Sequence, residues 1–296
     1  MSTQNLLFIF NPKSGKGLIK NHLVDIVDVM VKAGFEVTVY PTQGHGDATR
    51  KVIADGANYD RIVCSGGDGT LDEVVTGFRE TELSLPLGYI PAGSTNDFAR
   101  SLNISSDMVK ATKTAVGKHM FQCDVGKFNG DTFVYIAAFG IFTDLSYETP
   151  QSLKNILGHM AYVLSAAKSL LSIPNYQMVV DVDGKVIEDK FIYGMITNSL
   201  SVAGFSGLTG QNVQFDDGEF EVTLIKTPKN VEDLNEIVLY FTNLTSTSSM
   251  IYTYKAKKVK IISEKEVPWT LDGEFGGNHT VVAIENCPKK INLLIK

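Results

Sequence analysis

The alternation of short apolar runs with helical segments in the first 124 residues constrains the fold more than any other feature. Four runs of strand length occur there, at Leu6–Phe10, Phe35–Tyr40, Arg61–Cys64 and Pro86–Ile90. Segments with helical periodicity separate them, and Asp47 is the predicted N-terminal cap of the second helix. A strand, a helix and a further strand form the βαβ unit of parallel sheets. The pattern therefore predicts an α/β domain over residues 1–124.

From residue 125 onward the pattern favours antiparallel pairing. Asn129-Gly130 and Asp183-Gly184 stand between strand-like runs and are strong hairpin signals. Two further helices are predicted, at Ser152–Ser172 and Val231–Phe241. The predicted strands are Thr132–Phe139, Tyr176–Val182, Lys185–Thr197, Glu219–Lys226, Lys257–Ser263, Thr280–Glu285 and Lys290–Ile295. The sequence thus predicts a second, mostly β domain over residues 125–296, closely coupled to the first because no linker rich in Pro or Ser separates them.

Composition excludes several classes of protein. The chain is 44% hydrophobic and 20% charged, as expected of a globular protein. Its net charge of -6 argues against a nucleic-acid partner bound through a basic surface. The longest uncharged stretch, Phe191–Phe215, contains four glycines and many polar residues, so it does not read as a spanning helix. Without a recognisable signal peptide, and with three cysteines that form no CxxC pair, we expect a cytoplasmic chain with reduced thiols.

The turn Ser65–Thr70 (SGGDGT) lies between a buried strand and an amphipathic helix. Its three glycines let the backbone approach a ligand closely, and the helix directs free N–H groups at an anion, as in phosphate sites. A carboxylate at Asp68 repels a phosphate unless a divalent cation lies between them. The alternative is a strand-to-helix turn in which Asp68 only caps the helix.

Three further segments carry polar residues in turns. Residues 11–17 (NPKSGKG) follow the first strand but lack the first glycine of a Walker A loop, so Lys16 is either a phosphate ligand or a solvated charge. Residues 91–100 (PAGSTNDFAR) again join a strand to a helix, and ordinary capping is the alternative. Residues 269–274 (WTLDGE) form a late acidic turn. Open parallel sheets bind ligands outside the carboxyl ends of their strands. The three turns that follow such strands, at residues 11–17, 65–70 and 91–100, therefore predict one shared site.

Together, NPKSGKG, SGGDGTLDEVVTG, PAGSTNDFARSL and LDGE resemble the lipid kinase family that includes the soluble bacterial diacylglycerol kinases and, more distantly, the sphingosine and ceramide kinases. GGDGT alone is shared with NAD kinases and is related to the phosphofructokinase pattern; the third and fourth segments favour the lipid kinases. The resemblance implies a Rossmann-like α/β nucleotide domain of the NAD kinase and diacylglycerol kinase type. It also implies a C-terminal antiparallel β-sandwich, with the active site in the cleft between the two.

The resemblance also assigns roles to residues. Its implied ATP contacts are Asn11, Lys16, Gly66, Gly67, Gly69, Thr70, Glu73, Ser94 and Thr95. For Glu73 the alternative is an interaction with the helix dipole only. The implied Mg²⁺ ligands, some of them acting through water, are Asp68, Asp97, Asp124 and Asp272. Glu274 is the implied general base, and Asp68 and Asp272 are the other implied catalytic residues.

A second, structural metal is implied in the C-terminal domain. Its ligands would be the side chains of Gln214 and Asp217 and the carbonyl group of Glu219. Gln211 and Val213 depart from the Pro and Ala common in the family, and an Asp-Asp-Gly turn without metal is the alternative.

The implied reaction is ATP- and Mg²⁺-dependent transfer of the γ-phosphate to a lipid hydroxyl, converting diacylglycerol to phosphatidic acid in phospholipid metabolism. Other acceptors are monoacylglycerol, phosphatidylglycerol, a long-chain base or NAD, and a non-catalytic nucleotide sensor is the alternative of another class. The expected partners are a lipid with a free hydroxyl and, by peripheral contact, the inner face of the membrane; no nucleic acid is expected. The helix predicted at Ser152–Ser172 would guide an acyl chain or dock on the bilayer, or only cover the sheet. The oligomeric state, a homodimer included, is left open.

Overall fold

The computed structural model describes residues 4–141, 174–199, 201–202, 205–206, 214–243 and 248–296. The helix predicted at Ser152–Ser172 lies outside these ranges. The chain divides into two compact units. The first consists of Met1–Val125, Phe215–Asp217 and Cys287–Lys296, and the second of Gly126–Gln214 and Gly218–Asn286.

The first unit is built on a parallel sheet. Its strands are β1 (Gln4–Phe10), β2 (Phe35–Pro41), β3 (Arg61–Gly66) and β4 (Pro86–Pro91). They pair in parallel in the order β2, β1, β3, β4, and Asn292–Leu293 near the end of the chain pairs in parallel with β4. The helices are α1 (Ile19–Lys32), α2 (Asp47–Asp55), α3 (Asp68–Thr81), α4 (Asp97–Ser101) and α5 (Met108–Ala115), with a 3₁₀ turn at Gly56–Asn58.

The apolar pattern explains this sheet. Leu6–Ile9 are fully buried, as expected of a strand covered on both faces. On α1 the buried residues are Ile19, Ile26 and Met30, which recur at helical spacing and so share one face. The α/β domain predicted from the alternation is confirmed. The predicted cap is wrong: Gly46 precedes α2 in a left-handed conformation (φ 72°), and Asp47 is the first helical residue.

The second unit consists mainly of antiparallel strands. They are β5 (Met120–Phe128), β6 (Asp131–Phe133), β7 (Ile136–Gly140), β8 (Tyr176–Val182), β9 (Lys185–Thr197), β10 (Ser201–Val202), β11 (Phe205–Ser206), β12 (Phe220–Lys226), β13 (Ile251–Ala256), β14 (Lys258–Leu271) and β15 (Glu274–Leu294). Helix α6 spans Val231–Asn243. Strands β5 and β15 each contribute residues to both units.

Two long strands organise the second unit. The first half of β9 pairs with β8 and its second half with β7; β14 likewise pairs with β8 at one end and with β7 at the other. The antiparallel β-sandwich predicted for the C-terminal half is confirmed. Its core combines aliphatic residues with a group of aromatic rings that includes Trp269, whose ring lies 5.0 Å from that of Phe128 and 4.9 Å from that of Phe139.

Both predicted hairpins form. Asn129 and Asp183 adopt left-handed conformations (φ 51° and 48°) in the β5–β6 and β8–β9 turns. The prediction of one strand over Thr132–Phe139 is wrong, because residues 134 and 135 leave the ladder to donate hydrogen bonds to Asp272. The strands predicted at Thr280–Glu285 and Lys290–Ile295 are parts of the single strand β15.

Within the described ranges, none of the helices has the length and apolar character needed to cross a bilayer. The cysteines are free thiols, with Cys64 and Cys123 buried and Cys287 partly exposed. Burial raises the pKa of the Cys64 and Cys123 thiols far above its usual range, so both stay protonated.

Candidate active site

Three turns of the first unit meet backbone to backbone at the carboxyl ends of β1, β3 and β4. A Cβ atom placed on Gly15 would lie 2.4 Å from the carbonyl oxygen of Ala92, and one on Gly93 would lie 2.6 Å from the Cα of Gly67. Only glycine permits contacts this short. The turns that the sequence separates by about 50 and 25 residues therefore form one surface.

Hydrogen bonds hold the three turns in register. The N–H of Asn11 donates to the carbonyl of Ser65 at 2.9 Å, and the N–H of Ala92 donates to that of Gly66 at 2.8 Å. The Asn11 side chain reaches the hydroxyl oxygen of Thr70 at 3.5 Å. Asn11, Gly66 and Thr70, all predicted to contact ATP, are thus brought together, and Gly67 and Gly69 lie half-buried beside them at the start of α3.

Asp68 opens α3 with one carboxylate oxygen engaged and one unpaired. Its Oδ2 accepts the N–H of Asp97 at 3.1 Å, whereas its Oδ1 is buried without a hydrogen-bond partner. Burial, and secondly the nearby negative charge of Asp97, raise the pKa of Asp68 from 3.8 to about 6. Asp97 is itself 2% exposed. The structure therefore brings together two of the four predicted Mg²⁺ ligands.

The third turn is closed by its own asparagine. Asn96, in a left-handed conformation (φ 52°), accepts the N–H of Gly93 at 2.9 Å and donates to the carbonyl of Gly93 at 2.8 Å. Ser94 is exposed and Thr95 is half-buried on this turn. Lys16 is exposed on the first turn. These side chains stand at the rim of the surface, where a ligand from solvent can reach them.

Glu73 has a structural role that the sequence did not reveal. Its two carboxylate oxygens accept the N–H groups of Gly46 at 2.7 Å and Ala48 at 3.0 Å. Glu73 therefore supplies, from α3, the N-terminal cap that Asp47 does not supply to α2. His45 lies 3.4 Å from the same carboxylate. Contact between Glu73 and a nucleotide stays a prediction.

Asp124 is fully buried in the first unit, where its Oδ1 accepts the N–H of Lys289 at 2.7 Å and its own N–H donates to the carbonyl of Phe215 at 2.7 Å.

Among the predicted ligands of the second metal, Gln214 is exposed, and Asp217 and Glu219 are half-buried around the turn that contains Gly218 (φ 77°). Across the described residues, no three His, Cys, Asp or Glu side chains lie close enough to hold a metal ion by themselves.

In the second unit Asp272 organises the neighbourhood of Glu274. Its carboxylate accepts three backbone N–H groups, those of residues 134, 135 and 136, at 2.5, 3.0 and 2.9 Å. Asp272 and Gly273, with φ of 51° and 86°, form the tight turn between β14 and β15. Glu274 follows directly, exposed and paired across the hairpin with Leu271. Glu274 and Asp272 belong to the second unit and the turns to the first, so the cleft between domains stays a prediction.

Three residues at this surface are not among the predicted site residues. Ser14 is 9% exposed, and its Oγ would lie 3.5 Å from a Cβ atom placed on Gly67. Asn96 lies in the third turn, and its side chain closes that turn through Gly93. Tyr89 is buried and donates to the carbonyl of Gly66 at 3.2 Å; burial and the charge of Asp68 raise its pKa. In the sequence, only the position of Tyr89, two residues before the end of β4, indicates that it lies near this surface.

Comparison with known proteins places these features in a family. Residues 5–128 match the family described as diacylglycerol kinase catalytic domain, and residues 145–295 match the family described as YegS C-terminal NAD kinase beta sandwich-like domain. A diacylglycerol kinase of Staphylococcus carnosus is 35% identical, the alignment covering 91% of this chain and 88% of that protein. One of Staphylococcus aureus is 36% identical, with 91% and 85% covered.

A crystal structure of a diacylglycerol kinase from Bacillus anthracis strain Sterne matches all of this chain and 98% of its own, with a TM-score of 0.75 and 25% identity. Another solved chain from that strain, provisionally described as a diacylglycerol kinase, matches with a TM-score of 0.81 and 26% identity over all of this chain and 97% of its own.

Proposed function

The chain belongs to the diacylglycerol kinase catalytic domain family and is a lipid kinase, and from that premise we propose that it transfers the γ-phosphate of ATP to the free hydroxyl of diacylglycerol, with Mg²⁺, to form phosphatidic acid. The observation that carries this proposal is the meeting of the three turns around Asp68, whose buried Oδ1 has no hydrogen-bond partner. The backbone of the three turns would bind a phosphate chain, and a divalent cation would bind the unpaired carboxylate oxygen of Asp68.

The turns suit the phosphates of ATP. Gly67 precedes α3, so the free N–H groups and positive dipole end of this helix face the same surface as the glycines. Lys16, exposed on the first turn, adds a mobile positive charge. These groups would bind and orient the phosphates, which is most of what a phosphoryl transfer asks of a protein.

The Asp68 environment fits Mg²⁺. Two carboxylates, Asp68 and Asp97, lie close enough for the charge of one to raise the pKa of the other. Oxygen donors of this kind are the ligands that Mg²⁺ prefers, and a cation would relieve their repulsion. Asp68 and Asp97 would hold the ion. Asp124 and Asp272 stay proposed ligands of the same ion, and some of the four would act through water. A bound Mg²⁺ supplies charge neutralisation at the phosphate oxygens.

Glu274 is the proposed general base. An aliphatic hydroxyl is a poor nucleophile, and a carboxylate within hydrogen-bond reach can take its proton as the new bond forms. Glu274 is exposed at the end of a tight turn, so a hydroxyl from solvent or from a lipid headgroup can reach it. The main-chain hydrogen bonds to Asp272 fix the turn that carries Glu274.

Label transfer tests the proposal. Purified protein is given γ-labelled ATP, Mg²⁺ and, separately, diacylglycerol, monoacylglycerol, phosphatidylglycerol, a long-chain base and NAD. We expect label in phosphatidic acid. Label in NAD and in none of the lipids would overturn the assignment, and no transfer to any acceptor would support a nucleotide sensor.

The Glu274→Gln variant tests the base. Its kcat is expected to fall about 10²- to 10⁴-fold, the usual contribution of general-base catalysis, with the affinity for ATP unchanged. Glu264→Gln is the matched control, because Glu264 is also exposed in the second unit. Near-normal turnover of Glu274→Gln would remove Glu274 from this role.

A lipid acceptor also requires contact with a bilayer, which we propose to be peripheral and on its cytoplasmic face. The densest basic run of the sequence consists of Lys255, Lys257, Lys258 and Lys260. It does not by itself support this contact, since Lys255 is paired with Glu221 at 3.5 Å and Lys258 with Glu285 at 2.7 Å. Cosedimentation with anionic vesicles at low and high salt measures the contact. No binding to the vesicles at either salt concentration would contradict the proposed contact.

A further inference from the structure

The strand that carries Glu274 contains a β-bulge two residues beyond it. Pro268 pairs with Asn278, and Thr270 pairs with Phe275, so that the single residue Trp269 faces two residues of β15, Gly276 and Gly277. A bulge of this kind inserts one extra residue and bends its strand. Gly277 adopts a left-handed conformation (φ 94°).

The bulge determines which residue of β15 pairs with Leu271 beside the turn. Because side chains alternate between the two faces of a strand, a shift by one residue moves every following side chain to the other face. With the bulge, Glu274 pairs with Leu271. If the register of the Pro268–Asn278 pair continued to the turn without the bulge, Phe275 would face Leu271 instead. The position of the proposed base thus depends on the bulge being kept.

His279 closes the bulge. Its Nε2 lies 2.9 Å from the carbonyl oxygen of Gly276. The same Nε2 would lie only 2.8 Å from a Cβ atom placed on Gly277. The ring is held from its other side by an edge contact with Phe128, at 5.3 Å between centroids. The imidazole therefore fills the space beside Gly277, whereas the side chain of Leu271 fills the space beside Gly276.

Asn129 sets the tautomer of this imidazole. The Asn129 Oδ1 accepts the N–H of Ala283 at 2.9 Å, which directs its amide Nδ2 toward the Nδ1 of His279 at 3.5 Å and toward the carbonyl of Val281 at 3.4 Å. An amide N–H facing Nδ1 requires that Nδ1 be the acceptor. The proton then resides on Nε2, where it is donated to Gly276.

Resting on the function proposed above, we infer that His279 is a positioning residue of the reaction: its Nε2–H, fixed by Asn129, closes the bulge and so places the Glu274 carboxylate. It touches neither acceptor nor nucleotide. A misplacement of about 1 Å at a reacting group lowers turnover by about 10²-fold. Loss of the donor is therefore expected to act on kcat rather than on the affinity for ATP.

Two substitutions separate the donor from the bulk of the ring. His279→Leu has similar volume and no donor, and we expect kcat to fall at least 10-fold, with the KM for ATP unchanged. His279→Gln carries an amide N–H at the distance of Nε2, and we expect it to restore most of the activity. Unchanged kcat in the Leu variant, or an equal loss in both, would overturn the inference. Wild-type protein without lipid kinase activity would instead overturn the proposed function.

A measurement on the wild-type protein covers the case in which these variants do not fold. Long-range ¹H–¹⁵N correlation spectra of the histidine side chains report which ring nitrogen carries the proton. We expect the neutral imidazole of His279 to be the Nε2–H tautomer, and we expect the tautomer equilibrium to shift in Asn129→Ala. An Nδ1–H form in the wild type would overturn the inference whatever the activity of the chain.

Discussion

The buried carboxylate of Asp68 makes the stability of the metal-free protein depend on pH. Burial and the charge of Asp97 raise its pKa from 3.8 to about 6. Between these two values the folded protein holds a proton that the unfolded chain has released. Stability therefore falls as the pH rises through this window, and the full penalty applies above about pH 6. At about 1.4 kcal/mol per pKa unit, the penalty is about 3 kcal/mol.

The isosteric variant Asp68→Asn removes this dependence. In EDTA at pH 8 we expect the variant to be more stable than the wild type by about 3 kcal/mol, and at pH 4.5 by about 1 kcal/mol, because most of the penalty then disappears. Chemical denaturation of both proteins at several pH values measures the difference. A stability difference that does not change with pH would refute the reasoning. Added Mg²⁺ at pH 8 is expected to stabilise the wild type alone, since a ligand stabilises only the state that binds it.

Four further substitutions, one of them a control, test single contacts. Asp272→Asn replaces an acceptor of three N–H groups by a partial donor, so denaturation should show a loss of about 2 kcal/mol or more; unchanged stability would contradict this. Gly15→Ala would place a Cβ 2.4 Å from Ala92, whereas Gly17→Ala has the same left-handed strain and no atom nearer than 3.6 Å. In nucleotide titrations only the former should lose affinity beyond the common effect of strain; equal losses would argue against close contact of the turns. Glu73→Ala should lower stability by about 1 kcal/mol through the lost cap of α2, and weaker nucleotide binding at unchanged stability would favour direct contact instead.

The sequence predicts those parts of the fold that depend on local periodicity. The strand-helix alternation up to β4 and the two Asx-Gly hairpins are properties of a few neighbouring residues, and both are observed. The meeting of the three turns also follows, because the carboxyl ends of adjacent parallel strands share one edge. The break at residues 134 and 135 does not follow, because its cause is Asp272, 138 residues further along the chain from residue 134.

Three acidic residues that the motifs assign to the active site differ in how far the protein already compensates their negative charge. Asp272 accepts three N–H groups and Glu73 accepts two, so the charge of each is already stabilised by the protein. Asp68 accepts the N–H of Asp97, keeps its Oδ1 unpaired and stands beside a second carboxylate. A cation gains most where negative charge is least compensated. Of these three carboxylates, Asp68 is therefore the one whose replacement should weaken Mg²⁺ binding most. This ranking depends on hydrogen-bond partners that are distant in sequence, so the motif GGDGT alone does not predict it.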